Sequence, residues 1–463
     1  MKQFFFLILL TLIGTVGAFA VSPFWGIAVY YLFAVLRPQY VWDWALLDYD
    51  PQIKIRWSFY VAVAAILAAF AHKLGFIRVP EQEKSSGPDA TPERLPADPH
   101  PTGPFTSAHV LLLAFGAWIG VSYLGARNQE LAAPWFWEYA KIFVMFLTAT
   151  FLIRTTLQVW TLFVIAALAL GYLGYEVNAT YLDMQHPRIT IYDSGYGGLD
   201  NNGAGLMFAM GVPLCLFVWE GVDRWWRWIF AALIPSLIHA VLLSFSRGAM
   251  LALLAASPLF FLRSQHKRYL LVGGLILFLA LLPRMAGKEI RDRFFSIEQY
   301  EKDESVQGRF SSWQVAWEIA KDYPIDGIGL RNASAYAEKY NPEAKDRTIH
   351  SQYLQILADT GFVGLGLYLL ALLLVWRSTG QVRRATRNWT GPDQRRAYAA
   401  ACGVESAMAV FCIGAVFLSL EVFELPYLLL LLGSQLALFI PPPGERMTEH
   451  IPVPVEQPQM IES

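Results

Sequence analysis

The sequence predicts an all-α, polytopic integral membrane protein with about 12 transmembrane helices and one large outer loop. Three observations predict it. Of the 463 residues, 55% are hydrophobic and only 16% charged, against roughly 25% charged in soluble domains. Apolar runs recur along nearly the whole chain at close to the roughly 20 residues a helix needs to cross a hydrocarbon layer of about 30 Å. The loops between them are mostly short, and their arginines cluster on alternate sides. A net charge of -1 gives no global field to attract nucleic acid, so the partner the composition implies is the membrane, and nucleic acid is excluded.

Thirteen apolar runs are legible, near residues 4–21, 23–36, 57–71, 106–124, 135–153, 156–174, 202–219, 225–244, 247–262, 268–283, 353–376, 398–420 and 425–440. The first has a short basic end and an Ala18-Phe19-Ala20 sequence like a cleavable signal peptide. A second apolar run follows at once, which favours an uncleaved first helix. Between Lys73 and Phe105 lies a polar, Pro-rich stretch with almost nothing to bury, a flexible loop. Residues 1–440 therefore read as one membrane domain, followed by a disordered tail over 441–463.

Orientation follows from the short loops. The segment Arg377 to Arg396 carries six arginines, at 377, 383, 384, 387, 395 and 396, against the single acid Asp393. The positive-inside rule makes it cytoplasmic. Counting back puts 284–350 outside and Arg263, His266, Lys267 and Arg268 inside, with Asp223 to Trp228, the 73–105 loop and the tail. Thirteen full crossings ending inside would start the chain outside. The run Pro23 to Leu36 is about three-quarters of a crossing and is closed by Arg37-Pro38. Treating it as a partial span leaves twelve crossings with both ends cytoplasmic, with thirteen as the alternative.

Four polar features then collect on the outer face: 175–203, Ser244 to Gly248, the long loop 284–350, and Glu421 to Pro426. The long loop holds eleven Lys or Arg and twelve Asp or Glu. Within it, Phe310, Trp313, Trp317 and Ala320 share one face of an amphipathic helix running from Gln307 to Asp322. Arg309 falls in its first turn, where the helix dipole mildly opposes a cation, so an anionic partner is plausible and an idle exposed arginine is the blander reading.

Arg247, in SFSRGAMLALL, sits between two apolar runs with almost no loop. A guanidinium at that depth costs at least about 2.5 kcal/mol unless it snorkels or meets an anion. Beside Ser246 and Gly248 it could grip a phosphate or carboxylate in a bidentate fork. Asp200, Asn201 and Asn202 precede an apolar run and read first as N-caps, at a helix N-terminus that also suits an anion. His350 opens the helix after the long loop, where an imidazole can titrate near neutrality and act as a base, although a lone interfacial histidine is more often a cap. The glycines of GFVGLGLYLL read as close helix packing. Cys215, Cys402 and Cys412 all lie in apolar runs and behave as small buried hydrophobes. The sequence has no phosphate-binding loop, HExxH, paired CxxC or GxSxG elbow, so no metal site and no cofactor is expected.

Together LDNNGAGLMFAMGVPL, SFSRGAMLALL, GRFSSWQVAWEIAKDYPIDGIGL and HSQYLQILADTGFVGLGLYLL resemble the O-antigen ligase and polymerase superfamily of bacterial membrane glycosyltransferases, over roughly residues 100–440. The RPQYVWDWALLDYDPQIK stretch resembles the exosortase-associated O-glycosylation ligase subgroup. The resemblance implies a multi-pass protein of the inner membrane whose large loop is periplasmic. It would transfer a glycan from undecaprenyl pyrophosphate to a hydroxyl of a lipid, protein or glycan acceptor, without metal. His350 matches the position of the family's general base, and Arg247 and Arg309 match arginines that engage the donor pyrophosphate. Asn202, Asp359 and Arg331 are supporting candidates, and family members usually carry Glu where this chain has Asp359. A polymerase using the same chemistry and a transporter are the alternatives. Against the transporter stand the lack of an internal hydropathy repeat, of matching Gly/Pro-broken helices and of a mid-bilayer charge pair.

Overall fold

A computed structural model of the chain describes residues 2–42, 56–76, 104–184, 195–274, 276, 304–345, 347–388, 391–420 and 422–440. Most of the loop expected at 73–105, half of the apolar run 268–283, the first part of the long loop and the tail 441–463 fall outside the described residues.

The membrane part begins with α1 (Lys2–Ala20), α2 (Phe24–Leu36), the single turn α3 (Pro38–Val41) and α4 (Trp57–Lys73). It continues through α5 (Ser107–Leu124), α6 (Gln129–Leu152), α7 (Thr156–Met184), α8 (Asn201–Gly221), α9 (Arg227–Leu243) and α10 (Arg247–Arg263). After α11 (Glu304–Asp322) and α12 (Ala333–Tyr340), which lie in the long loop, come α13 (Gln352–Thr386), α14 (Pro392–Gly414) and α15 (Glu424–Phe439). Among the described residues, α1, α5, α7, α8, α13 and α14 are long and apolar enough to cross a membrane, and α4, α9 and α15 are shorter apolar helices.

The bundle is organised around α8, buried at every residue from Gly203 to Gly221. A helix hydrophobic on all sides suits only such a central place. Small residues let its neighbours close in: a methyl on Gly211 would lie 3.1 Å from Leu170 of α7 and from Leu237 of α9, and the Cys215 thiol donates to the Ala167 carbonyl at 3.4 Å. The helices α7, α9, α10 and α14 surround it. Cys215, Cys402 and Cys412 are all free thiols, the first two buried.

The basic loops share one end of the bundle. Glu405, fully buried in α14, sits 2.7 Å from Arg263 Nε at the end of α10 and 3.1 Å from Arg383 Nε of α13. Arg395 pairs with Asp223, tying the start of α14 to the loop after α8. A buried carboxylate clasped by guanidiniums satisfies charges that would otherwise be costly in the bundle.

The N-terminal hairpin differs from the expectation that both chain ends lie on one face. Phe4 of α1 stacks edge-on against Trp57 at 5.9 Å, and Phe6 against Trp42 at 6.3 Å, whereas Gly17 abuts Trp25 and Gly26 abuts Ala18 and Ala65. α2 thus runs antiparallel to both α1 and α4. Its end at Arg37 stands 5.7 Å from the Phe423 ring, just before α15, at the end of the bundle opposite the basic loops. The start of α1 and the end of α15 therefore lie at opposite ends of the bundle rather than at one end. At 13 residues α2 is about 20 Å long, which is why its length alone suggested an incomplete crossing.

Two expectations for the long loop are also corrected. The helix begins at Glu304, so Arg309 stands in its second turn rather than its first. Its buried face is Ser312, Val315, Ala316, Ile319 and Ala320, while Phe310 and Trp317 are 52% and 47% exposed. With Ile328, Ala333, Ala337, Ile349 and Ala358 this face makes a small core of its own over the end of the bundle.

Candidate functional site

His350 is held by its neighbours on both sides. The Ile349 carbonyl accepts from Trp313 Nε1 at 3.0 Å and from the Ser312 hydroxyl at 3.4 Å, both on α11. The Gln352 N–H donates to the carbonyls of Ala415 and Leu418 at 2.8 Å, and the Gln352 side chain accepts from the Leu420 N–H at 2.7 Å. Between these clamps the His350 backbone is left-handed, with φ 49°. Such a conformation is uncommon outside glycine and concentrates at functional sites.

The imidazole is half-buried and its Nε2 lies 2.7 Å from the Thr348 hydroxyl. Burial pushes its pKa below the ordinary value of 6.5, and the positive charges of Arg309 and Arg331 push it the same way, while Asp200 pulls it back up. The fold therefore brings three elements distant in sequence onto one histidine: the start of α8, the second turn of α11 and the loop before α12. A ring so placed is largely neutral at neutral pH and has the lone pair a base needs.

Arg247 and Asn202 belong to an adjoining break. α9 ends at Ser244, Phe245 turns the chain at φ 52°, and Ser246 caps α10, accepting from the Ala249 N–H at 3.3 Å. The Asn202 carboxamide oxygen accepts from the Ser246 hydroxyl at 2.9 Å, and Asn201 donates to the Ser244 carbonyl at 3.1 Å. Arg247 is the first residue of α10. Gly248 beside it abuts Phe417, where a methyl would lie 3.4 Å from Cβ. The Phe417 ring stands 6.4 Å from that of Trp313, which binds the peptide before His350. Asp200 caps α8 through the Gly203 N–H at 2.8 Å, as its position in the sequence suggested.

Arg331 also has a left-handed backbone, φ 56°, and lays its guanidinium 4.4 Å over Trp135. Beside it the fully buried Asn332 accepts from the Asn128 N–H at 2.9 Å and donates to the Asn128 carbonyl at 3.1 Å, locking this loop to the α5–α6 connection.

Asp359 serves a different feature. Helix α13 is broken at Gly361, whose φ of 68° and ψ of -172° are not helical. The carbonyls freed there are taken up one by one: that of Ala358 by the Ile328 N–H at 2.9 Å, that of Asp359 by Gly329 N–H at 3.2 Å and the Ser122 hydroxyl at 2.5 Å, and that of Thr360 by Trp118 Nε1 at 2.9 Å. The Asp359 carboxylate, 1% exposed, accepts from Gln355 at 2.9 Å. Reading Gly361 only as a packing residue is therefore corrected. It ends a half-helix that has His350 just before its start, and irregular backbone at such a place survives only when other groups satisfy it.

Sequence reasoning missed Asp200 as a charge acting on His350, and Ser312, Trp313 and Gln352 as its clamps. All four lie inside the quoted stretches, but their roles depend on packing. Among the described residues no group of three or more His, Cys, Asp or Glu side chains is gathered as metal ligands.

The fold and site define a helical membrane protein with a buried-edge histidine and arginines at one end of its bundle. Residues 230–369 match the family model described as O-antigen ligase, a stretch running from α9 into α13 that includes Arg247, Arg309, Arg331, His350 and Asp359. This match supports the resemblance to the O-antigen ligase superfamily. No curated protein matches the chain.

Proposed function

We propose that this chain is a glycan ligase of the inner membrane, working at the periplasmic face on a glycan carried by undecaprenyl pyrophosphate. His350 accepts the proton of an acceptor hydroxyl as that oxygen attacks the anomeric carbon. The bond from that carbon to the pyrophosphate oxygen breaks, and the lipid pyrophosphate leaves. Arg247 and Arg309 bind the departing charge, the task fixed guanidiniums can perform without a divalent ion. Asn202 positions Arg247 through Ser246, Arg331 adds positive charge beside the histidine, and Asp359 braces the half-helix. The acceptor is a lipid or protein hydroxyl, and the subgroup is that of the O-glycosylation ligases.

The observation that carries this reading is the placement of His350, half-buried in a left-handed turn clamped by Trp313 and Gln352, where burial first and then the charges of Arg309 and Arg331, against Asp200, lower its pKa. A lowered pKa keeps the ring unprotonated, and so competent as a base, as pH falls through the usual histidine range. The acid limb of the transfer rate therefore falls below about pH 6.5, the unperturbed histidine value. Asp200→Asn retains a capping side chain but removes the charge that raises the pKa, so its limb moves to lower pH. Arg309→Ala removes a charge that lowers the pKa, so the limb of its residual activity moves up. Rate profiles from pH 4.5 to 8 check both signs; an acid limb that stays put in both variants removes His350 as the base.

A further inference from the structure

A cavity lies away from His350, on the flank of the bundle where α2, α4, α6 and α15 meet. Its volume is about 340 Å³, within the roughly 300–1,000 Å³ of small-molecule sites. The lower wall is apolar, with Ala62 and Ile66 from α4 facing Val144 and Met145 from α6. The rim is polar and carries both signs: Arg56 and Lys141, Glu138 and Glu424, with Gln39 beside them. Lys141 lies 2.5 Å and Arg56 3.7 Å from Glu138.

The rim marks the level where hydrocarbon gives way to headgroups. Arg56 immediately precedes α4, Glu424 is the first residue of α15, and Arg37 follows α2, so three helices begin or end with a charge at this height. Trp137, at the rim, is 62% exposed, and Phe59 and Val144 on the same flank are 53% and 51% exposed, as expected for residues facing lipid rather than protein. An apolar slot below a charged rim is the shape of one acyl chain with its headgroup. The Gln39 side-chain oxygen is buried in the rim without a hydrogen-bond partner, and Nη1 of Arg37, two residues before it and outside the lining, is also buried without one. One wants a donor and the other an acceptor.

We propose that this cavity binds one zwitterionic aminophospholipid of the surrounding bilayer. Its phosphate lies against Arg56 and Lys141, its primary ammonium against Glu424 and the Gln39 oxygen, and one acyl chain runs down the slot between α4 and α6. The lining cations and acids balance, so a lipid with both charges fits where an anionic one leaves the acids unmatched. A quaternary ammonium cannot donate to Gln39 and fits less well. The proposal is independent of the glycan-transfer reading, since its test uses neither donor nor acceptor.

The test is native mass spectrometry of the full chain, released from nanodiscs containing equal parts of dioleoyl phosphatidylethanolamine, phosphatidylcholine and phosphatidylglycerol. One phosphatidylethanolamine is expected to remain bound in preference to the others. Lys141→Met and Val144→Trp both change partly exposed positions, one removing a rim charge and the other filling the slot. Each is expected to lower retention roughly tenfold, the loss of about one charge-assisted contact or of the chain site. Preferential retention of phosphatidylglycerol, equal retention of all three lipids, or unchanged retention in both variants overturns the proposal.

Discussion

Replacing His350 by alanine is expected to lower glycan transfer by about 10²–10⁴-fold, the usual contribution of a positioned acid-base group, while leaving the protein folded and inserted. The imidazole is half-buried at the edge of the long-loop core, and the clamps on either side of it use backbone groups of Ile349 and Gln352 rather than the ring. Alanine leaves those clamps in place. The left-handed backbone at φ 49° costs alanine somewhat more than it costs histidine, which joins Asn and Asp among the residues more tolerant of that region. His350→Asn is therefore the sharper variant. It keeps a side chain suited to φ > 0 but has no basic nitrogen, so it should be as inactive as alanine and as stable as the wild type. Activity retained in His350→Asn would mean that neither the ring nor its basic nitrogen is needed, and would remove His350 as the base.

Gly361→Ala is expected to produce the largest loss of stability of any single methyl addition along α13, about 3 kcal/mol from the backbone conformation alone. With φ 68° and ψ -172° the residue occupies a region essentially reserved for glycine. A Cβ there would also stand 2.5 Å from the carbonyl carbon of Ile325 and 2.8 Å from the oxygen of Pro324. The latter oxygen accepts the Phe362 N–H at 2.8 Å, so the clash opens the contact that joins the half-helix to the loop. Gly366→Ala, five residues on, is the control, since a methyl there meets nothing within 4 Å. Thermal unfolding in detergent, followed by loss of the monodisperse size-exclusion peak, should show Gly361→Ala melting well below wild type and Gly366→Ala alongside it. Equal melting of the two variants would mean that the break at Gly361 does not hold the structure.

Much of this architecture was legible because the relevant physics is local. Apolar runs mark helices, Asp200 announces a cap, and the arginines of 377–396 group with Arg263 because like loops share a face. The orientation of α2 was not legible, since counting crossings treats a short run as a short span, whereas its direction is set by Trp25 and Val29 packing on Gly17 and Gly14. Of the face expected for α11, Ala320 is buried and Trp313 packs on the long-loop core, while Phe310 and Trp317 stay exposed. Here Trp317 packs instead edge-on to the exposed Phe362 at 6.0 Å, and the small residues Ala316 and Ala320 face the core. His350 and the two arginines stood out as residue types, but the role of Asp200 in the histidine's electrostatics needs the third dimension, because 150 residues of chain separate them.

The central claim is bond transfer from a lipid pyrophosphate to a new hydroxyl, and the most direct measurement follows both products at once in proteoliposomes holding the full chain, a lipid-linked glycan and a candidate acceptor. The ligase reading predicts that free undecaprenyl pyrophosphate appears only when donor and acceptor are both present, mole for mole with glycan on the acceptor, and that His350→Asn yields neither. Glycan that lengthens on its own carrier would make the protein a polymerase. Donor that changes sides of the membrane with its glycan still attached would contradict the claim and make the protein a transporter.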